Sequence, residues 1–328
     1  MKLQRHIVLV LLLVAGAALG AAGTFTFLHV TGLTAALRGS APSAPQALFP
    51  QGPLQPIVTD SPTPTPEPAL RSYLAEAQIV SYYGHPASPA LGVLGEGDTE
   101  TMLARLRAQA AAYQALNPEK KVIPALHLIY EVAQANPGPD GLYLYRTDDA
   151  TVQRYIDLAR QNGMLLFLDL QIGRSSLDQE LNHVMPYLKL PFVHLAIDPE
   201  FAMPPGERPG EDIGSLDALD IDAALARINA MAEQENLPYN KIVIVHQFQD
   251  SMLTNKDLLN WWEPRIDLVL DMDGYGDQSG KLGKYNSLIN LPAVRHAAIK
   301  LFYQHDVALL SEQQVEELQP RPDIIIYQ

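Results

Sequence analysis

The 328-residue sequence contains no cysteine. Disulfides, thiolate metal sites, a cysteine nucleophile and a cysteine-linked lipid anchor are all excluded. Basic residues are scarce: 23 Lys and Arg stand against 37 Asp and Glu, a formal net charge of −14. A chain this acidic builds no basic groove for a phosphate backbone, so nucleic acid is not an expected partner. No Gly-x-Gly-x-x-Gly follows the first strand-like run, and the glycine-rich loops lack the Gly-Lys-Ser/Thr of a P-loop. No cofactor and no bound metal is expected from motif content. No repeat of solenoid period is visible. What is left, 47% hydrophobic and 18% charged, is the composition of a globular domain with ample core material.

The N-terminus reads as a membrane segment. Lys2, Arg5 and His6 precede an apolar run over residues 7–30, broken only by Thr24, Thr26 and His29. About 20 apolar residues suffice to cross a bilayer as a helix. The basic residues lie before the run, so the positive-inside rule directs the rest of the chain out of the cytoplasm. An uncleaved anchor over residues 1–34 is expected, because the run exceeds what a signal peptide needs. The alternative is a signal peptide cut near Ala15-Gly16-Ala17 or Leu19-Gly20-Ala21. Residues 35–69 follow as a Pro-rich spacer, ending in Ser61-Pro62-Thr63-Pro64-Thr65-Pro66-Glu67-Pro68. Such a segment favours a semi-rigid polyproline conformation.

Residues 70–328 alternate between strand-like and helix-like patterns. Strands are expected at 79–83, 122–129, 164–170, 192–197, 242–248, 266–270, 299–303 and 324–327. Met164-Leu165-Leu166-Phe167-Leu168 is continuously apolar, as strands covered on both faces are. Helices are expected at 99–116, with Asp98 as N-cap, and at 150–161, stopped by Asn162-Gly163. Others fall at 221–235, 177–187, 256–262, 291–296 and 312–318. Eight strands, a length near the ~250 residues usual for the fold, and the missing dinucleotide fingerprint together favour a (β/α)8 barrel over an open sheet. The last helix is missing, and a short helix over residues 69–77 is expected to stand in its place.

A barrel of this kind carries its active site at the C-terminal strand ends. Polar residues collect there. Tyr82, Tyr83 and His85 follow the first strand, and Tyr130 and Glu131 the second. Asp169 and Gln171 close the third, and Asp198 and Glu200 the fourth. His246 and Gln247 lie on the fifth, Asp271, Asp273 and Tyr275 on and after the sixth, Tyr303 on the seventh. A glycine-rich segment over residues 274–285 has the look of a lid, and its Lys281 and Lys284 bring positive charge to an acidic mouth. His127 and His194, inside strands, read as interior packing groups. Trp261 and Trp262 fall on a helix, where one is core and a sugar platform is an option.

Residues i and i+2 of an extended chain point the same way, so Asp198 and Glu200 should both face the mouth. Two close carboxylates raise one pKa, which makes a proton donor at neutral pH. Glu200 is thus the expected general acid/base and Asp198 its pKa-setting neighbour. Asp271 or Asp273 would be the nucleophile or water-activating base of a glycosidase. Tyr83 and His246 would orient or stabilise charge. Tyr82, His85, Asp169, Gln247, Tyr275, Lys281, Lys284 and Tyr303 complete the expected substrate surface. Two other classes compete: a metal-dependent hydrolase using His246 and His85, and a non-catalytic barrel that binds glycan or peptide.

Tyr82-Tyr83-Gly84-His85-Pro86, Gly92-Val93-Leu94-Gly95-Glu96, Asp198-Pro199-Glu200, Ile213-Gly214-Ser215, His246-Gln247-Phe248 and Asp273-Gly274-Tyr275-Gly276 together resemble a family of exported, membrane-anchored bacterial TIM-barrel proteins. The resemblance spans residues 70–328 and implies location and fold. Asp198-Pro199-Glu200 also resembles the Asp-x-Glu of chitinase-like and lysozyme-like barrels, and that likeness implies a glycan substrate.

Overall fold

A computed structural model describes residues 70–328. The expected membrane segment and Pro-rich spacer lie outside the described residues. Among the described residues, no helix is long and apolar enough to cross a membrane.

Eight parallel strands form the centre: β1 Ala77–Gly84, β2 Lys121–Ala133, β3 Leu165–Leu170, β4 Val193–Ile197, β5 Lys241–Gln247, β6 Ile266–Met272, β7 His296–Leu301 and β8 Ile324–Tyr327. Each pairs with the next in sequence, β8 pairs with β1, and the sheet therefore closes on itself. This is the (β/α)8 barrel that the alternating pattern implies. A short antiparallel strand, Leu144–Arg146, extends the far end of β2 and has no counterpart in the sequence reading.

Closure forces each strand to sort its side chains by parity. Ile79, Ala125, Phe167, Ile244, Val269 and Ile326 fill the barrel interior. The opposite parity, including Val80, Leu126, Leu166, Leu195, Val243 and Ile325, meets the helices. On that outer layer lie α2 Thr99–Leu116, α3 Asp149–Asn162, α4 Leu177–Leu188, α5 Ala218–Gln234, α6 Gln278–Leu288 and α7 Glu312–Glu316. The side chain of Asp98 caps α2, and Met102, Leu103, Leu106, Ala110 and Tyr113 form its buried stripe. Gly163 ends α3 at φ 63°, the left-handed conformation that glycine adopts without Cβ strain.

Three helix expectations need correction. Residues 256–262 form only a 3-10 turn, Lys256–Leu258, and 291–296 form no helix. The helix sits earlier, as α6, inside the segment read as a lid. Gly280 and Gly283 lower its intrinsic propensity and hid it, but Asp277 caps it and Tyr285 and Leu288 bury one face. The short N-terminal helix, α1 Tyr73–Glu76, does not stand in for an eighth outer helix. Leu74 packs into the interior cluster, and Ser72 Oγ donates to Asp267 Oδ2 at 2.6 Å, so α1 stoppers the N-terminal end of the barrel.

One irregularity matters for the site. The β2–β3 register slips between Ile129 and Glu131. This bulge turns Glu131 outward, away from the mouth where the sequence put it. There it meets Glu180, which accepts two bonds from Arg146 at 2.7 and 2.6 Å. Burial and the neighbouring Glu180 push Glu131 up to about 10. Burial pushes Glu180 up as well, but Arg146 outweighs it and holds Glu180 down at about 2. Glu131 therefore keeps its proton in the fold from its ordinary 4.5 to about 10. The stability it contributes is full below that window and lost as pH rises through it. The variant Glu131→Gln keeps the shape without the titration. Its melting temperature should fall less than that of the parent between about pH 5 and about pH 9; parallel melting curves would show that Glu131 is already ionised.

Candidate active site

Inward parity brings a polar layer to the C-terminal end of the barrel. Tyr83 comes from β1, His127 from β2, Asp169 from β3, His246 from β5, Asp271 from β6 and Lys300 from β7. Asp198 follows β4 directly, and Asp273 follows β6, its N–H still donating to Gln247 O at 3.0 Å. All eight are buried. His246 is the hub: its Nδ1 lies 2.8 Å from Asp271 Oδ2 and 3.5 Å from Asp273 Oδ2, its Nε2 3.4 Å from Asp169 Oδ2. His127 Nε2 approaches the same Asp169 oxygen at 3.6 Å. Lys300 Nζ donates to Asp273 Oδ2 at 3.0 Å and sits 3.6 Å from the centroid of the Tyr83 ring. Gln171 fixes Tyr83 by donating to its hydroxyl at 3.2 Å, while its own carbonyl accepts from Ala133 N.

Charge in this layer is set by competition between burial and neighbours. Burial disfavours charge on His246, but Asp169, Asp271 and Asp273 outweigh it and raise its pKa well above the ordinary value. Burial likewise opposes charge on Asp169, and the two histidines prevail to hold it below the usual carboxylate range. His127 loses the same contest: burial lowers it to about 4, with Asp169 only a partial offset. Lys300 would be lowered by burial, yet Asp273, Asp198 and Asp169 keep it protonated. Burial raises Asp198 well above the ordinary value, the nearby His246 charge offsets part of that, and Asp169 and Glu200 add to it.

Glu200 differs from these in being partly open to solvent. Pro199–Phe201 is a 3-10 turn rather than extended chain, so Asp198 and Glu200 are related by a turn and not by strand alternation. Gly214 N donates to Glu200 O at 2.7 Å and pins that turn. Burial raises Glu200 to about 7, Asp273 adds to it, and Lys300 and His246 oppose it. The neighbour that sets Glu200 is therefore Asp273 from β6, and not Asp198 as the sequence suggested. Tyr275 stands at the same mouth: burial and the Glu200 charge raise its hydroxyl.

Several expected site residues face elsewhere. Tyr82 and Tyr303 have outward parity and join a tyrosine cluster under α2, 3.3 Å apart at their hydroxyls, with Gln109 at the Tyr303 hydroxyl. His85 has both ring nitrogens engaged, by Thr147 Oγ1 and Ala87 N, each at 3.1 Å. Gln247 also points outward, where Lys256 donates to it at 2.8 Å. Lys281 is buried on α6 and donates to Gly274 O and Asp306, tying two loops rather than facing substrate. Lys284 does lie at the mouth, over the Phe248 ring at 5.6 Å and against Gly274. His194 is interior, as expected, and accepts from Ile242 N at 3.1 Å. Trp262 is exposed, with Arg295 3.7 Å over its ring. Both precede strand starts, so the pair sits at the opposite end of the barrel from the carboxylates.

Two members of the layer were not legible as site residues. Lys300 read as part of a strand, and His127 as packing. The available signal was parity. Lys300 is two residues from Ala298, an interior position, and a lysine inside a barrel needs a carboxylate partner.

No protein-family model matches the chain, and comparison with curated proteins finds no match either. Among solved structures, a mannanase of Bacillus subtilis is similar at 10% identity, over 77% of this chain and 79% of that one, with a TM-score of 0.41. The Cel5A of Thermotoga maritima, solved with cellobiose, is similar at 10% identity over 79% and 91%, TM-score 0.40. An oxaloacetate acetylhydrolase is similar at 10% identity over 79% and 72%, TM-score 0.31.

Lys300 is, with His246, one of two buried cations among these carboxylates. Removing one partner of a buried ion pair typically costs about 3–5 kcal/mol. The variant Lys300→Met should lose stability of that order in urea-induced unfolding at neutral pH. A loss below about 1 kcal/mol, the range of exposed pairs, would mean that the pair is hydrated.

Proposed function

We propose that this chain is an exported, membrane-tethered glycoside hydrolase acting on an extracellular or cell-envelope glycan. The observation that carries the proposal is the carboxylate pair at the mouth: Glu200, raised to about 7, beside Asp273, which is held by Lys300. Inverting and retaining glycosidases alike need one carboxyl group that keeps a proton and a second that is anionic. Glu200 takes the first role and donates its proton to the glycosidic oxygen as the C–O bond breaks. Asp273 takes the second, as nucleophile or as the base that deprotonates water. Lys300 and His246 both approach Asp273 at Oδ2, so Oδ1 is the oxygen assigned to the sugar or the water. Asp271, fully buried and bonded to His246, is set aside as the nucleophile.

Export and tethering rest on the apolar run over residues 7–30, the basic residues Lys2 and Arg5 before it, and the Pro-rich segment that follows. A tethered glycosidase of this kind would work on polymers within reach of the membrane face. The resemblance to exported bacterial TIM-barrel proteins agrees with that setting.

The test is release of reducing sugar by the purified full chain and its Glu200→Gln variant from a panel of envelope and storage glycans. Loss of a positioned general acid should lower the rate about 10²–10⁴-fold. In the parent, kcat/KM should fall as pH rises through about 7, because Glu200 must be protonated to act. The groups facing Glu200, namely Asp273, Lys300, His246 and Tyr275, set that limb together. Equal sugar release by both proteins, or none by the parent on any glycan, would refute the assignment.

A further inference from the structure

Below the mouth pair, three buried side chains converge with polar atoms that make no hydrogen bond. Neither ring nitrogen of His127, neither oxygen of Asp169 and not Nε2 of His246 makes a hydrogen bond, and both Nε2 atoms stand off from Asp169 Oδ2 at ion-pair distance. All three residues are fully buried. A buried polar group without a hydrogen bond costs about 1–3 kcal/mol, more when charged, so Asp169 Oδ2 and the two Nε2 atoms that face it call for an occupant.

The spacing says what kind. Asp169 Oδ2 stands 3.4 Å from His246 Nε2 and 3.6 Å from His127 Nε2, and the three donor atoms lie within 4.8 Å of one another. These separations exceed the usual ~2.7–3.2 Å of an N–H···O bond. The two edges that meet at Asp169 Oδ2, 3.4 and 3.6 Å, are close to those of a coordination tetrahedron. Zinc takes nitrogen at ~2.0–2.1 Å and carboxylate oxygen at ~2.0–2.2 Å, and tetrahedral geometry then separates the ligand atoms by about 3.3–3.5 Å. Octahedral geometry at similar bond lengths would bring neighbouring ligands to about 3.0 Å. A second cluster, His246 with Asp271 and Asp273, fits an ion less well. There the His246–Asp271 distance of 2.8 Å is that of a made hydrogen bond, and Asp273 already holds Lys300.

We propose that His127 Nε2, Asp169 Oδ2 and His246 Nε2 bind one divalent ion of the zinc class, the ion displacing the Nε2 proton of His246 to solvent. The hydrogen bond to Asp271 has a definite part in this. It commits His246 Nδ1–H, turns Nε2 toward Asp169, and makes the carboxylate–histidine–metal relay common around protein-bound zinc. Asp271 is then a positioning residue, and its burial against His246 has a purpose beyond packing. Three protein donors fill three of the four positions zinc takes, which leaves one for water or a substrate oxygen. The donors are all distinct from Glu200, so ion binding goes beyond the glycosidase proposal and stands or falls separately from it.

The test is titration of the chelator-treated full chain with zinc chloride, followed by calorimetry, and with cobalt(II), followed in the visible. One ion per chain and an intense cobalt d–d band of the tetrahedral kind are expected. The variant Asp169→Asn should lose stoichiometric binding. Asp271→Asn, which keeps all three donors and spares the fold if the first variant does not, should weaken affinity about 10–100-fold. Glu200→Gln should bind as the parent does. Absence of zinc binding by the folded parent, a cobalt band of six-coordinate strength, or unchanged affinity in Asp271→Asn would each overturn the proposal.

Discussion

The pairing of β8 with β1 is the constraint on which the rest of the molecule depends. An open sheet of the same strands would have two free edges and two equivalent faces. Closure instead gives each strand one inside and one outside, and parity decides which residues meet. Tyr82 and Tyr83 are neighbours in sequence, yet one joins the tyrosine cluster under α2 and the other meets Lys300. The same rule sends Gln247 to the helix layer and His246 to the hub of the polar layer. A single-residue slip in register would exchange these roles. The bulge at Tyr130 does so locally, and it is why Glu131 leaves the mouth for the company of Glu180 and Arg146.

The polar layer works as one electrostatic unit. Four aspartates and one glutamate converge on two basic groups, Lys300 and His246, with a neutral His127 beside them. Each carboxylate has a different fate because each has a different neighbour. Asp169 lies between two imidazoles and stays charged, Asp198 lies among other carboxylates and does not, and Glu200 sits between these extremes. One set of like residues thereby holds both protonated and ionised carboxyl groups.

Much of this was legible in the sequence. The eight strands were found because their apolar runs are continuous, and α2 because its stripe and its Asp98 cap agree. That Asp169, Asp198, Glu200, His246, Asp271 and Asp273 lie together was legible because strand ends are where a barrel keeps its polar groups. What sequence did not reveal was orientation. Alternation assigns parity only after strand ends are known to the residue, so Tyr82, Tyr303 and Gln247 were placed in the mouth and Lys300 was left out. His85 and Lys281 misled for another reason: their partners, Thr147 and Asp306, are distant in sequence, and only the folded chain shows that they are already engaged. Helix α6 was masked by its own glycines, which reduce propensity but leave the buried stripe of Tyr285 and Leu288 intact.

The short helix α1 at the foot of the barrel has a consequence for traffic. With Leu74 seated in the interior and Ser72 bonded to Asp267, the lower end is stoppered, and the apolar floor of Ile79, Phe167 and Ile244 lies above it. Among the described residues, the histidines and aspartates of the upper layer are therefore shut off from the N-terminal end of the barrel. A ligand of the proposed kind, seated over Glu200 and Asp273, would cover the other end. With it in place, the proton inventory of the buried layer would be sealed until it departs.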